Sequence, residues 1–260
     1  MTITTLDGLI DALGNSGTQL VINKASISSQ IAGGFTSLWR ATGTPAQGAT
    51  PAAAAICTNA LPGCVALTNP TAPARSYLAR LFALSANSGT DIQIHDRLAH
   101  MGGLSGTVTT AQTVNVDVSG TASNIDNRRG ASDYSDVQWW LEWYTATGST
   151  AVTATVTYTN AAGVTGRTTT VSLTASVGAS RMLAIIGNGG EFIQSVQSVQ
   201  LSATTGTAGS FGVTATRSQA GVSLGLANSG VVADWAYLGL PRIHDTACLV
   251  IVVVTGTTTS

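Results

Sequence analysis

The sequence predicts an all-β protein, a β-sandwich or jelly roll that carries a short N-terminal helix and an extended proline-rich arm. Three observations predict it. Beyond Arg75, short runs of β-branched and aromatic residues alternate with turn residues, and no helical periodicity intervenes. Residues 41–74 hold five of the six prolines (Pro45, Pro51, Pro62, Pro70 and Pro73) and no charged residue. Thr, Ala, Gly and Ser number 39, 37, 29 and 25, half of the 260 residues, while charged residues make up 9% against about 25% in a typical domain. Such a chain makes its polar surface from hydroxyls and backbone.

Leu6, Leu9, Ile10 and Leu13 recur at i, i+3, i+4 and i+7, so a short amphipathic helix is expected over residues 4–13, with Asp7 in its first turn and Gly14 as its stop. Residues 19–23 read as a strand. Residues 27–40 support neither element, because Gly33-Gly34 argues against a continuous helix. In the stretch 41–74 each proline removes a backbone donor and fixes φ, so an extended arm or long loop is expected. Its apolar content at 52–56 and 65–67 places it against a neighbouring surface rather than in water. The division is therefore helix and arm over 1–75 and sandwich body over 76–260. Strands in the body are expected at 92–94, 107–118, 137–144, 151–158, 168–173, 182–186, 192–201, 211–216 and 248–254. From Val152 to Tyr158 threonine alternates with apolar residues as in a half-exposed strand, and a turn at 161–166 would fold it back on 168–171 as a hairpin.

Composition also excludes partners. A net charge of -1 and a single lysine, Lys24, provide no basic field for phosphate backbones, so nucleic acid is not expected. The N-terminus lacks a basic region followed by an apolar run, so it does not read as a secretory signal. The longest apolar run, 247–254, is far short of the roughly 20 residues a spanning helix needs, so no membrane association is expected and the run reads as a buried strand. Disordered chains combine low hydrophobicity with high net charge, and this chain has neither.

Catalytic chemistry needs positioned titratable groups, and two glutamates, ten aspartates and three histidines offer few. The best constellation is His95-Asp96 with His244-Asp245, which could orient an imidazole for general-base work. Adjacent strand residues face opposite sides, however, so the sequence neighbour is not the natural partner. Polar groups hydrogen-bonding at strand ends is the plainer reading. His95, His100, His244 and Cys248 could be recruited by zinc, but no tight ligand spacing supports a metal site. Cys57 and Cys64 lie in the proline-rich stretch, and an odd third cysteine without a secretory signal favours free thiols. No nucleophile elbow, P-loop or dinucleotide turn occurs, and no cofactor is expected. In a strand over 137–144, Val137, Trp139, Leu141 and Trp143 share a core face, while Gln138, Trp140, Glu142 and Tyr144 share a face that mixes aromatic and polar groups. Packing within the chain, a contact with another protein and sugar stacking all fit that second face.

Three stretches carry a resemblance. Ser37-Leu38-Trp39-Arg40-Ala41-Thr42-Gly43-Thr44-Pro45, Ile94-His95-Asp96-Arg97-Leu98 leading into 103–112, and Val156-Thr157-Tyr158-Thr159-Asn160 followed by Gly163 are similar to head proteins of tailed bacteriophages. The resemblance implies a virion structural protein, most like a capsid cement or decoration protein. Such a protein is a noncatalytic β-sandwich, often a homotrimer, that binds the assembled lattice through the major capsid protein. It would sit on the capsid surface of a virion assembled in the host cytoplasm. A tail or fibre component and a carbohydrate-binding sandwich using Trp140 and Tyr144 are the alternatives, and a hydrolase using His95 or His244 ranks below them. Candidate contact residues are Trp39, Arg40, Trp140 and Tyr144. Charge depletion is a mark of buried interface centres, and a proline-punctuated arm loses little entropy when it is ordered on a lattice.

Overall fold

The structure is a computed structural model in which residues 3–68 and 70–256 are described. The protein is all-β. In chain order its strands are β1 (Asn23–Lys24), β2 (Phe35–Ser37), β3 (Gly43–Thr44), β4 (Ala55–Ile56), β5 (Ser76–Tyr77), β6 (Leu81–Leu84), β7 (Thr90–Leu104), β8 (Gln112–Asp117), β9 (Gln138–Thr145), β10 (Val152–Asn160), β11 (Arg167–Leu173), β12 (Arg181–Ile185), β13 (Ile193–Leu201), β14 (Ser210–Leu224), β15 (Gly230–Ala233), β16 (Arg242–Ile243) and β17 (Leu249–Thr255). The helices are short: α1 (Leu6–Asp11), α2 (Ile125–Arg128) and α3 (Trp235–Leu238). Among the described residues none is long and apolar enough to cross a membrane.

Six strands close on themselves. β14 pairs with β9, β9 with β12, β12 with β2, β2 with β17, β17 with β7, and β7 returns to β14, every pairing antiparallel. A wall of so few strands encloses side chains and nothing larger. Its tallest members, β7 and β14, are 15 residues each and pair along their length with three register shifts. At the first shift sits Gly212, where a Cβ would strike the Met101 carbonyl, so only glycine lets the two backbones come this close. A second sheet, in the order β11-β10-β13-β8, covers the outer face of β7, β9 and β14. The layered packing expected of a sandwich is present, with one of the two layers rolled into a barrel.

The alternation of β9 decides what goes where. Trp139, Leu141 and Trp143 point outward and meet Val114, Val116, Ala154, Val156, Val196 and Val199 of the covering sheet. Trp143 stacks on Phe211 at 4.3 Å, and Trp139 Nε1 donates to the Ile193 carbonyl at 2.9 Å, which joins the layers by a hydrogen bond. Each large apolar side chain buried there contributes on the order of 1.5–3 kcal/mol. Trp140, Glu142 and Tyr144 point the other way, into the barrel. The hairpin expected over 151–171 forms as β10 and β11, with Val156 opposite Thr169.

The N-terminal part departs from expectation. The helix runs on past Gly14 as a π-helical turn, Ala12–Ser16, and stops at Gly17. The stretch 41–74 does pack against a surface, but that surface is its own body. Cys57 N donates to the Leu98 carbonyl at 2.9 Å, Val65 N to the Leu249 carbonyl at 3.1 Å, and Trp39, Cys57, Cys64 and Val65 are buried. β2, from the stretch that showed no clear element, is a stave of the barrel. A boundary at residue 75 therefore cuts through the body, whereas none of the described residues over 3–21, α1 among them, is buried. Lys24 holds the transition, its Nζ donating to the carbonyls of Ala41, Pro45 and Ala46 at 3.1, 2.7 and 3.2 Å.

One side of β7 is covered by two segments placed end to end. β4 runs beside His100 and Ala99, and Cys57 reaches Leu98; then Cys248 takes over at Arg97 and β17 continues from Asp96. Between Cys57 and Cys248 the wall is broken, and Arg128 fills the break. Its Nη1 donates to the Cys57 carbonyl at 2.7 Å, its Nε and Nη2 to the Asp96 carboxylate at 2.9 and 2.6 Å, and Asp96 Oδ1 accepts from Cys248 N at 2.9 Å. Arg128→Met strands the buried Asp96 carboxylate and should cost about 3–5 kcal/mol. The exposed Arg167–Glu191 pair, 42% and 22% accessible, should cost less than about 1 kcal/mol when Arg167 becomes Met. Urea unfolding of the two variants checks the contrast.

Candidate functional site

The four candidate contact residues separate on sight. Trp39, Trp140 and Tyr144 are buried within the chain and show no area to a second protein or a sugar. Trp39 Nε1 donates to the Ala49 carbonyl at 2.9 Å and its ring lies over Gly48. Arg40 is half-buried and is spent on its own loop, Nη1 donating to the Gly48 carbonyl at 2.5 Å. The mixed face of β9 is thus a barrel lining. Amphipathic rings beside an ionic group suit a polar interior as well as an interface, and alternation alone does not separate the two.

That interior is built around Arg97. Its guanidinium meets Glu142 Oε2 at 2.7 Å, donates to Tyr144 Oη at 3.2 Å, Thr214 Oγ1 at 3.1 Å and His100 Nδ1 at 2.9 Å, and lies 4.7 Å from the centre of the Trp39 ring. Glu142 also accepts from the Thr214 hydroxyl at 2.6 Å. Burial alone would raise the Glu142 carboxyl, but the Arg97 charge outweighs it and holds the pKa below the ordinary value. Tyr144 is pushed the other way, by burial and by the Glu142 charge. Both ions stay charged and neither is presented to solvent.

His95 and Asp96 do not act as a pair. His95 points into the barrel and Asp96 out of it toward Arg128. Trp140 Nε1 donates to Thr216 Oγ1 at 2.9 Å, Thr216 lies 3.1 Å from His95 Nδ1, and His95 Nε2 lies 2.9 Å from Gln93 Oε1. Thr216 therefore donates to Nδ1 while Nε2 carries the proton, and the ring is neutral. His244 lies in the loop before β17, where burial above all, with the charge of Arg242, lowers its pKa while the charge of Asp96 opposes them. Cys57, Cys64 and Cys248 are free and buried, and they converge beneath Trp39. Burial and the contacts with Cys57 and Cys64 place the Cys248 thiol well above its ordinary value. Cys57 is lowered, because contacts with Cys248 and His100 and the Arg97 charge outweigh burial, and Cys64 is lowered by its contact with Cys248. Cysteine count predicted free thiols; nothing in the spacing of 57, 64 and 248 announced that they would meet. Among the described residues no three His, Cys, Asp or Glu side chains are arranged to hold a metal ion.

What the surface does offer is apolar. None of the residues of α1 is buried; Thr5 caps it by accepting from Gly8 N at 3.1 Å, and Leu6 and Ile10 are 59% and 56% exposed along one stripe. The β6–β15 ribbon gives a second patch. Leu81, Ala83, Val231 and Ala233 face inward onto Val222 and Leu224, which leaves Phe82, Leu84 and Val232 outside, with Phe82 opposite Val232. Phe82 and Leu84 are 63% and 58% exposed. Two depressions have cavity volumes near 120 and 140 Å³; the first is lined by Ala54–Ile56, Ala99 and 115–117, the second by 29–31, Thr36, Ser172, 174–179, Arg181 and Leu183.

Compared with known protein families, with curated proteins and with solved structures, the chain matches none of them.

His95 gives a pH dependence. Burial lowers its pKa from 6.5 to about 4, so between those values the unfolded chain binds a proton that the folded chain refuses. Stability should be complete above pH 6.5 and fall as pH drops toward 4, by up to about 3 kcal/mol. Thermal melts of the wild type and His95→Gln across this window check it: the variant's profile should be flatter.

Proposed function

We propose that the protein is a noncatalytic virion structural protein, a cement or decoration protein that binds the assembled capsid lattice as a homotrimer and stabilises it. The observation that carries this reading is the apolar stripe of α1, none of whose residues is buried by the rest of the described chain. The exposed face of the β6–β15 ribbon supplies a second contact surface, and the three stretches similar to phage head proteins point to the same setting. Nine per cent charged residues, part of them spent inside the barrel, leave an exterior suited to being covered.

The mechanism is mass action. A protein that binds only the assembled lattice stabilises it by RT ln(1 + [L]/Kd) at each site, and repeated sites compound the effect. The major capsid protein is the expected partner, the capsid surface the expected location, and assembly takes place in the host cytoplasm. The contact residues move from Trp39, Arg40, Trp140 and Tyr144 to Leu6, Ile10, Phe82 and Leu84.

The test must spare the barrel, so a deletion reaching β2 is unsuitable. Leu6→Asp with Ile10→Asp changes exposed positions and should shift stability by no more than about 0.5 kcal/mol. It should nevertheless strip the protein from purified shells in a sedimentation assay. Retention at wild-type stoichiometry would remove α1 from the account.

A further inference from the structure

Arg181, at the start of β12, forms no ion pair among the described residues, in contrast to Arg97, Arg128, Arg167 and Arg217. Its Nε and Nη1 are withdrawn from solvent and have no hydrogen-bond partner. The guanidinium lies flat against Gly34, where a Cβ would collide with it, so glycine is what admits the group to this position. It borders the cavity of about 140 Å³ between the loop at 29–31, β2 and the turn from β11 to β12. The other polar side chains there, among them Ser29, Thr36, Ser172, Thr174 and Ser176, are neutral, and no carboxylate lines the space. A cation partly withdrawn from water beside neutral hydroxyls is an incompletely balanced charge, and burial accordingly lowers the Arg181 pKa from its ordinary value.

We infer that this cavity is a binding site for a small oxyanion, a carboxylate or phosphate group, held by the Arg181 guanidinium over Gly34. A guanidinium offers planar N–H donors, which suit carboxylate and phosphate oxygens better than chloride. The hydroxyls of Ser172, Thr174 and Ser176 are donors for the remaining oxygens. The volume is several times the roughly 30 Å³ occupied by one water, enough for such a group and small for a sugar. Bound anion would restore the charge balance that the chain itself does not supply.

The experiment follows the Arg181 Nε–Hε resonance and the Tm while phosphate or acetate replaces chloride at constant ionic strength. In the wild type the resonance should move saturably, and Tm should rise roughly 3–5 °C once the anion is about tenfold above its Kd. Arg181→Gln should abolish the Tm response. Gly34→Ala, whose backbone is not left-handed and whose methyl displaces the guanidinium, should abolish both while the protein stays folded. A larger response to phosphate identifies a tetrahedral ligand and a larger response to acetate a planar one. A wild-type resonance that does not move, or a Tm response unchanged in Arg181→Gln, overturns the site.

Discussion

A β-barrel closes only if its strands find neighbours, and on one side of β7 the neighbour changes identity midway. Cys57 and Cys248 meet there without being bonded, so a carbonyl and an amide that a continuous strand would have joined face a break. Unpaired, each would cost about 1–3 kcal/mol. Arg128 and Asp96 stand in for the missing peptide unit, the guanidinium donating to one side and the carboxylate accepting from the other. Arg128 also donates to the Arg97 carbonyl at 3.1 Å, so the same side chain fixes the point where Arg97 turns inward toward Glu142. Residues 96 and 97 thus put one ion on each side of a single strand. One seals the wall and the other fills the lumen.

This arrangement changes the meaning of the sparse charge. Eleven basic and twelve acidic residues are few for 260, and Asp96, Arg97, Arg128 and Glu142 are interior. The exterior is left to threonine, serine, alanine and glycine, with the apolar stripe of α1 and the outer face of the β6–β15 ribbon as its most hydrophobic parts. Poverty of ions was legible in the composition; that the interior consumes some of them was not.

Local patterns were read well where one face was buried and the other was not. The alternation from Val152 to Tyr158 and the two faces of β9 are set by period-two geometry, which a sequence displays directly. The lengths of β7 and β14 were not legible, because His95-Asp96-Arg97 and the paired glycines at 102–103 look like turn chemistry until the barrel supplies partners for them. β2 was hidden for a related reason: three residues beside Gly33-Gly34 have no pattern of their own, and only pairing on both sides makes them a strand. The mixed face of β9 was visible as a face, but its destination depends on closure, a property of six strands together that none of them carries alone. The unpaired Arg181 was equally invisible, since a lone arginine shows nothing of what faces it.

Closure has a further consequence for how copies of this chain can meet. A wall that returns to itself leaves only short stretches of free amides and carbonyls among the described residues, beside the three-residue β2, so it is a poor template for strand addition by a second chain. In the covering sheet the outer strands are β8 and β11, and the latter lines its rim with Arg167 and three threonines. Crowding many copies together therefore favours recognition by side chains over the backbone templating that leads to fibrils.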